Sequence, residues 1–536
     1  MRMVKRFIED QDGQFAIMTS IMLVPIALAV GLAIDYTNVS RMRVQLQNSA
    51  DAAVLAVAQK GDSISDSQAQ TLGDSFVDSN FNPDYTNLTV TRVGTDVSVE
   101  ARTQVRLYFG GLIGKPSVNI DVASASAIAY ASYEIALALD TTGSMAGGKI
   151  ASMKDAVNGM IDTMSAQNPR PGALKFSIVP FSSMVNVGTQ YGPAYSGTGA
   201  VTRQPAAWLD ALAKSPIAQS DLDPGVSRFA MYKHLGVQWP GCVETRPVVG
   251  GVDYGTSDAL PDSSNPETLF VPAFASDEPD WAGFPNNYMS DMFAPIGSWS
   301  VSARMARYGA SYPGSFKSGS FSQQIADSSS WPNRWTDFST QTYYSNYPVN
   351  KGPDFGCDVQ PISPLSSNFA ALKAKVNSLV AMGSTNTFEG AAWGWRTLTA
   401  DAPFTEGVPS SNKIVKKTLV LLTDGTNNLG QLPNSLGSTN SSFGYLVDGR
   451  LGMTGGSASQ IVDAMNARTL AVCDNAKAQG IEIYTIRLEE PNVTTGNMLR
   501  DCASDADHYF DVPNRALLDD AFAKIKDKIA RIRISS

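Results

Sequence analysis

Histidine is almost missing from this chain: His234 and His508 are the only two in 536 residues. Neither stands in a nucleophile–base arrangement or in an H-E-x-x-H string, and no G-x-S-x-G occurs. The P-loop string G-x-x-x-x-G-K-[ST] is nowhere complete. These gaps exclude the usual serine-hydrolase, zinc-peptidase and nucleotide-cradling designs. Charge is also scarce, at 17% of residues, and the formal net charge is −9. Nucleic-acid binding needs a clustered basic face, and no such partner is expected here. Cysteine is limited to Cys242, Cys357, Cys473 and Cys502, with no C-x-x-C spacing for a metal or redox site. An even number far from the N-terminus permits two disulfides in an oxidising compartment.

What is present is a folded composition, 43% hydrophobic and rich in Ser, Thr, Asn and Gly, long enough for two or three cores. Phe15 to Ile34 is a run of 20 residues without a charge. At 1.5 Å per residue a helix of that length spans a bilayer core of about 30 Å. The run ends without an A-x-A cleavage site, so an uncleaved anchor is expected over 15–34, with 1–14 as a cytoplasmic N-terminus. Arg2, Lys5 and Arg6 precede it and Arg41 and Arg43 follow, a slight positive-inside asymmetry. The cysteines and the polar bulk of the chain place the remainder on the exported side of a bacterial cell membrane.

Beyond the anchor, Met42, Leu46, Ala50, Ala53 and Val57 recur at helical spacing, so the helix continues to about Lys60. Either an ordinary amphipathic helix or a pilin-like stalk would produce that stripe. A polar helix near Ser65 to Ser79 and alternating segments at Leu88–Val93, Val97–Leu107 and Val118–Ala129 complete a small α+β module over 35–131.

From Tyr133 strands alternate with helices, the pattern of a mostly parallel sheet covered on both faces. Ile135 to Leu139 reads as a buried central strand, and Leu174–Phe181, Lys417–Thr423, Ile481–Leu488 and His508–Val512 as further strands. Helices are expected through Ile150–Met164, Asn368–Ala381 (with Phe369, Leu372, Val376, Leu379 and Val380 buried), Trp393–Trp395, Ser457–Gln479 and Asn514–Ile532. Alternation stops between them for 185–364, a stretch holding Trp208, Trp239, Trp281, Trp299, Trp331 and Trp335. So many aromatics indicate an ordered, loop-rich insertion, closed by a Cys242–Cys357 disulfide, with most aromatics filling its own small core. Cys473 and Cys502 lie on neighbouring elements and would form the second bridge.

The chemistry concentrates at strand ends. Asp140-Thr141-Thr142-Gly143-Ser144-Met145 follows the central strand, and Thr423-Asp424-Gly425 follows another. In open parallel sheets, ligands bind beyond the carboxyl ends of the strands. If the Gly383-Ser384-Thr385 loop joins them, two carboxylates and the hydroxyls of Thr142, Ser144 and Thr385 surround one point. Such oxygens suit Mg²⁺, or Ca²⁺ or Mn²⁺, rather than a soft metal. Taken singly, a D-x-T-x-S string also serves as an ordinary helix cap, and Asp-Gly as a turn.

These three strings resemble the metal-ion-dependent adhesion site of von Willebrand factor A domains, with Thr142 where Ser is usual. The resemblance implies a doubly wound, Rossmann-like α/β fold over 132–184 and 365–536. It also implies metal ligands at Asp140, Thr142, Ser144, Thr385 and Asp424, and an open coordination position for a partner's carboxylate. Gly13-Gln14-Phe15-Ala16, Pro25, Asp35-Tyr36 and Leu46-Gln47-Asn48-Ser49-Ala50-Asp51-Ala52-Ala53 resemble the opening of TadG-like proteins of Flp/Tad pilus assembly, and Trp393-Gly394-Trp395-Arg396 and Cys502-Ala503-Ser504 fit the same group. The expectation is a membrane-anchored assembly or adhesion protein, not an enzyme, that binds an exposed Asp or Glu on a protein partner such as a pilus subunit. A structural pseudopilin without a working metal site, and a metal-assisted hydrolase, are the alternatives.

Overall fold

The computed structural model describes residues 12–61, 64–93, 96–127, 132–168, 170–279, 283–289, 308, 320–329, 340–344, 347–412 and 415–531. Arg2, Lys5, Arg6, Trp281, Trp299, Trp331 and Trp335 lie outside them. The chain divides into two compact units, 1–130 and 131–536.

In the first unit one helix, α1 (Asp12–Lys60), carries both the apolar run and the amphipathic stripe. The side chains of Ile17 to Ile34 are largely solvent-facing, whereas Leu46, Ala50, Ala53 and Val57 are fully buried. That half packs on α2 (Asp66–Asn80) and on an antiparallel sheet of β1 (Asn87–Val93), β2 (Asp96–Arg106) and β3 (Ser117–Ala127). Ser65 and Gln68 form a reciprocal capping box that starts α2. Along β2, Val97, Val99, Ala101, Thr103 and Val105 turn inward at the two-residue period of a half-buried strand.

The second unit is mixed α/β. Outside the short strands and helices of the insertion, its main elements are β4 (Ser132–Asp140), α3 (Gly148–Gln167), β5 (Leu174–Phe181), β6 (Ser363–Ser366), α4 (Phe369–Ser378), α5 (Thr387–Thr397), β7 (Val415–Thr423), α6 (Ala458–Ala478), β8 (Glu482–Leu488), α7 (Val493–Cys502), β9 (Tyr509–Val512) and α8 (Leu518–Arg531). The sheet order is β6-β5-β4-β7-β8-β9. Neighbours pair in parallel from β5 to β9, and β6 pairs antiparallel to β5 at the edge. Ile135, Leu137 and Leu139 of β4 face one core with Met153, Val157, Met160 and Ile161 of α3 and Phe522, Ile525 and Ile529 of α8. The intervening Ala136 and Ala138 face the other core, under α5. Small residues also bring α5 close to the sheet: a Cβ on Gly390 would meet Phe181 at 2.5 Å, and one on Gly394 would meet Leu419 at 2.4 Å. Every residue of α5 is buried.

Several details differ from the sequence expectation. α4 stops at Ser378, where Leu379 turns extended, so Val380 projects into solvent at 55% exposure rather than lining the helix face. The chain enters α8 through a short 3-10 turn at Arg515–Leu517, capped by Asn514. α7, capped by Asn492, is an additional helix, and Cys502 ends it. The insertion leaves after β5 and returns directly into the edge strand β6. Among the described residues, its aromatics do not form a separate small core. Trp208, Trp239 and Phe270 join the core shared by Ala136, Phe181 and Trp393, with Phe270 and Trp393 ring centroids 4.9 Å apart. Cys242–Cys357 and Cys473–Cys502 are both disulfide-bonded.

Candidate metal centre

The site lies where β4 and β7 end side by side. Leu139 pairs with Leu422 in parallel register, which puts Asp140 level with Thr423. Thr423 Oγ1 donates to Asp140 Oδ2 at 2.6 Å, and the Thr142 amide donates to Asp140 Oδ1 at 2.8 Å. Both carboxylate oxygens of Asp140 are thus aimed before any ligand arrives. The Thr385 loop is fastened beside them by the Gly143 amide to Gly383 oxygen (3.0 Å) and the Met382 amide to Thr141 oxygen (2.6 Å).

All five residues named by the sequence converge. Thr142 Oγ1 lies 3.1 Å from Ser144 Oγ and 3.3 Å from Thr385 Oγ1, and Ser144 Oγ donates to Asp424 Oδ1 at 2.6 Å. Adjacent ligands of an octahedral ion at about 2.1 Å are about 3 Å apart, so these spacings match the edges of such a shell. Gly425 leaves room in the middle: a Cβ there would stand 3.1 Å from Thr385 Oγ1 and 3.5 Å from Ser144 Oγ. Asp140, Thr142, Thr385 and Asp424 are buried, while Ser144 is exposed and marks the open side. The donor set fits a hard divalent cation through hydroxyls as much as carboxylates. No cluster of three or more His, Cys, Asp or Glu able to hold a metal occurs among the described residues. Burial raises the pKa of Asp140, and the nearby Asp424 carboxylate raises it further; hydrogen bonds from Thr142 and Thr423 oppose the rise. A cation held between the two carboxylates would relieve that repulsion.

Lys149, on the first turn of α3, is not among the residues the sequence points to. Its Nζ lies 2.6 Å from Asp424 Oδ2. Gly143 to Lys149 even has the G-x-x-x-x-G-K spacing, but Ile150 stands where the P-loop hydroxyl belongs, and the ammonium is engaged by the carboxylate. Thr423, quoted only as part of a string, is the residue that orients Asp140. His234 is buried with Nε2 2.9 Å from Tyr308 oxygen, and His508 lies between Asp505 and Glu482; both are structural placements.

Residues 13–60 match the family described as "Putative Flp pilus-assembly TadE/G-like". Over 13–60 the N-terminal helix is similar to that family. No curated protein matches the chain in sequence. Among solved structures it is similar to the pilus adhesin SpaC from Lactobacillus rhamnosus GG, at 11% identity and TM-score 0.31, covering 83% of this chain and 34% of that one. It thus spans about a third of SpaC. A second is the vWF domain of the type V pili tip protein Mfa5 from Porphyromonas gingivalis, at 9% identity and TM-score 0.32, covering 76% and 98%. A third is the pilus adhesin RrgA from Streptococcus pneumoniae, at 9% identity and TM-score 0.31, covering 83% and 49%.

Proposed function

We propose that this protein is a membrane-anchored component of a pilus-assembly system, with a doubly wound, von Willebrand factor A type domain that binds a carboxylate of a protein partner. A divalent ion, Mg²⁺ or alternatively Ca²⁺ or Mn²⁺, would be held by Asp140, Thr142, Ser144, Thr385 and Asp424. The observation that carries the reading is the meeting of these five oxygen-bearing side chains from three loops far apart in sequence, at hydroxyl spacings of 3.1 and 3.3 Å. When bound, the ion supplies a Lewis-acid position to which a partner's Asp or Glu can attach. The protein's share is to orient Asp140 through Thr423, to gather the hydroxyls, and to leave the Ser144 side open. Among the described residues no nucleophile–base pair accompanies the oxygens, and the role we propose is capture without turnover. The TadE/G-like helix anchors the chain with its N-terminus in the cytoplasm and residues 35–536 outside.

Full-length protein in detergent should melt at a higher temperature when millimolar Mg²⁺ or Mn²⁺ is added, and Asp140→Ala should remove that gain. No gain in the unaltered protein would overturn the reading. A second reading, assembly through the helix with no metal, is favoured by the Lys149 ammonium, which gives Asp424 a counter-charge of its own. Under it, Asp140→Ala restores pili fully in a deletion strain; under the metal reading it does not.

A further inference from the structure

Within the first unit, the turn between β2 and β3 is built against the apolar helix. Asp35, the residue that ends the uncharged run, accepts the backbone amides of Tyr108, Phe109 and Gly110, each at 2.8 Å. The Phe109 ring then reaches back along α1 to Gly31, where a Cβ would fall 2.5 Å from Phe109 Cγ. Gly31 lies four residues deeper in the run, about 6 Å along a helix axis. The turn is therefore fastened to the last turn of the segment that spans the bilayer.

Beyond that fastening, the turn exposes what a soluble loop usually hides. Tyr108 is 76% exposed, Leu112 71% and Ile113 52%, and Lys115 is exposed beside them. Ile34 and Tyr36 on the adjoining helix are exposed as well. An aromatic, two aliphatics and a lysine at this depth are the residues that favour the boundary between acyl chains and headgroups.

We propose that the turn Tyr108–Lys115 is a second membrane contact, with Leu112 and Ile113 dipping into the bilayer at its outer face and Lys115 meeting lipid phosphates. The helix and turn would then hold the small module at a fixed tilt on the membrane, rather than on a single swivelling stalk. The inference rests on the anchoring reading above.

The native cysteines are all disulfide-bonded, so one added thiol takes a nitroxide label selectively. Full-length Leu112→Cys, Ile113→Cys, Leu23→Cys and Val93→Cys proteins would be labelled in nanodiscs of phosphatidylethanolamine and phosphatidylglycerol. Val93, 71% exposed, sits at the opposite end of the same sheet, about 33 Å away along β2. Labels at 112 and 113 should collide with oxygen, relative to a nickel chelate, several-fold more often than the label at 93, approaching the value at 23. Values at 112 and 113 equal to that at 93, with 23 still lipid-like, would overturn the second contact alone. Shielding from both colliders would overturn it in favour of a protein covering the turn. A water-like value at 23 would overturn the anchor together with it.

Discussion

Lys149 and Asp424 are joined at 2.6 Å, Nζ to Oδ2, while the other oxygen of the same carboxylate accepts from Ser144. The ammonium is mostly buried, at 19% exposure, and Asp424 is fully shielded. A tethered cation thus already sits on one oxygen of the proposed metal shell. A divalent ion held through Asp424 would have to compete with it, which would lower the ion's affinity and make the proposed capture depend on metal concentration.

Lys149→Gln should therefore act in two opposite directions. Without metal, Asp424 loses its counter-charge beside Asp140, and the melting temperature falls. A charge-assisted hydrogen bond of this kind contributes about 1.5–3 kcal/mol. With Mn²⁺, removal of the competitor should tighten binding by roughly tenfold or more, since each 1.4 kcal/mol is tenfold. Titration calorimetry on both proteins reads the change directly. Equal affinities would show that the ammonium moves aside at no cost.

Gly425→Ala tests the space rather than the charge. The added methyl group would stand 3.1 Å from Thr385 Oγ1 and 3.5 Å from Ser144 Oγ, within the shell. Gly425 is not among the glycines with positive φ, so alanine adds no backbone strain, and the metal-free protein should change by less than about 1 kcal/mol. The metal-induced rise in melting temperature should shrink or vanish. A full rise would mean that the ion, if bound, sits elsewhere.

Much of this site is legible in the sequence because strand ends are. Ile135 to Leu139 is apolar on both faces, so the residue after it, Asp140, must stand at the carboxyl end of a central strand with its hydroxyl neighbours. Asp424 follows from the same argument on β7. Lys149 is not legible: nothing in its spacing says that the first turn of α3 folds back over the other strand's carboxylate. The edge strand β6 is hidden for a different reason. It has four residues, includes Pro364, and is defined by pairing with Phe176 and Ile178 across the whole insertion. Composition makes the insertion's aromatics look self-contained because it reports burial but not against what; Phe270 packs on Trp393. α4 shows the usual weakness at helix ends, where an apolar Val380 continues the stripe past the point at which Leu379 has left helical geometry.

The two disulfides should differ in weight. Cys242–Cys357 closes a separation of 115 residues and Cys473–Cys502 one of 29. In the chain-entropy model these stabilise by about 5 and about 3.5 kcal/mol respectively. Cys242→Ser with Cys357→Ser should cost more in melting temperature than Cys473→Ser with Cys502→Ser. It should also open 185–364 to limited proteolysis while leaving α3 and β4 protected. Equal losses would point to native-state packing at each bridge, rather than chain entropy, as the source of stability.

The segment beside the first bridge should also make stability depend on pH. Burial pushes the Asp358 carboxyl up to about 6, and the neighbouring Asp354 carboxylate adds to the shift. Its ordinary value is 3.8, so between the two values the folded chain holds a proton that the unfolded chain has released. The folded-state pKa is raised, so this favourable contribution is greatest below about 4 and is lost as pH rises through 6. A pKa unit corresponds to about 1.4 kcal/mol, so a rise from 3.8 to about 6 should cost about 3 kcal/mol at neutral pH. Asp358→Asn keeps the shape and removes the titration. Its advantage over the unaltered protein should be near zero at pH 4, grow between pH 4 and 6, and level off above pH 7, as read from denaturant midpoints across that range. A constant difference at every pH would assign the effect of the substitution to packing alone.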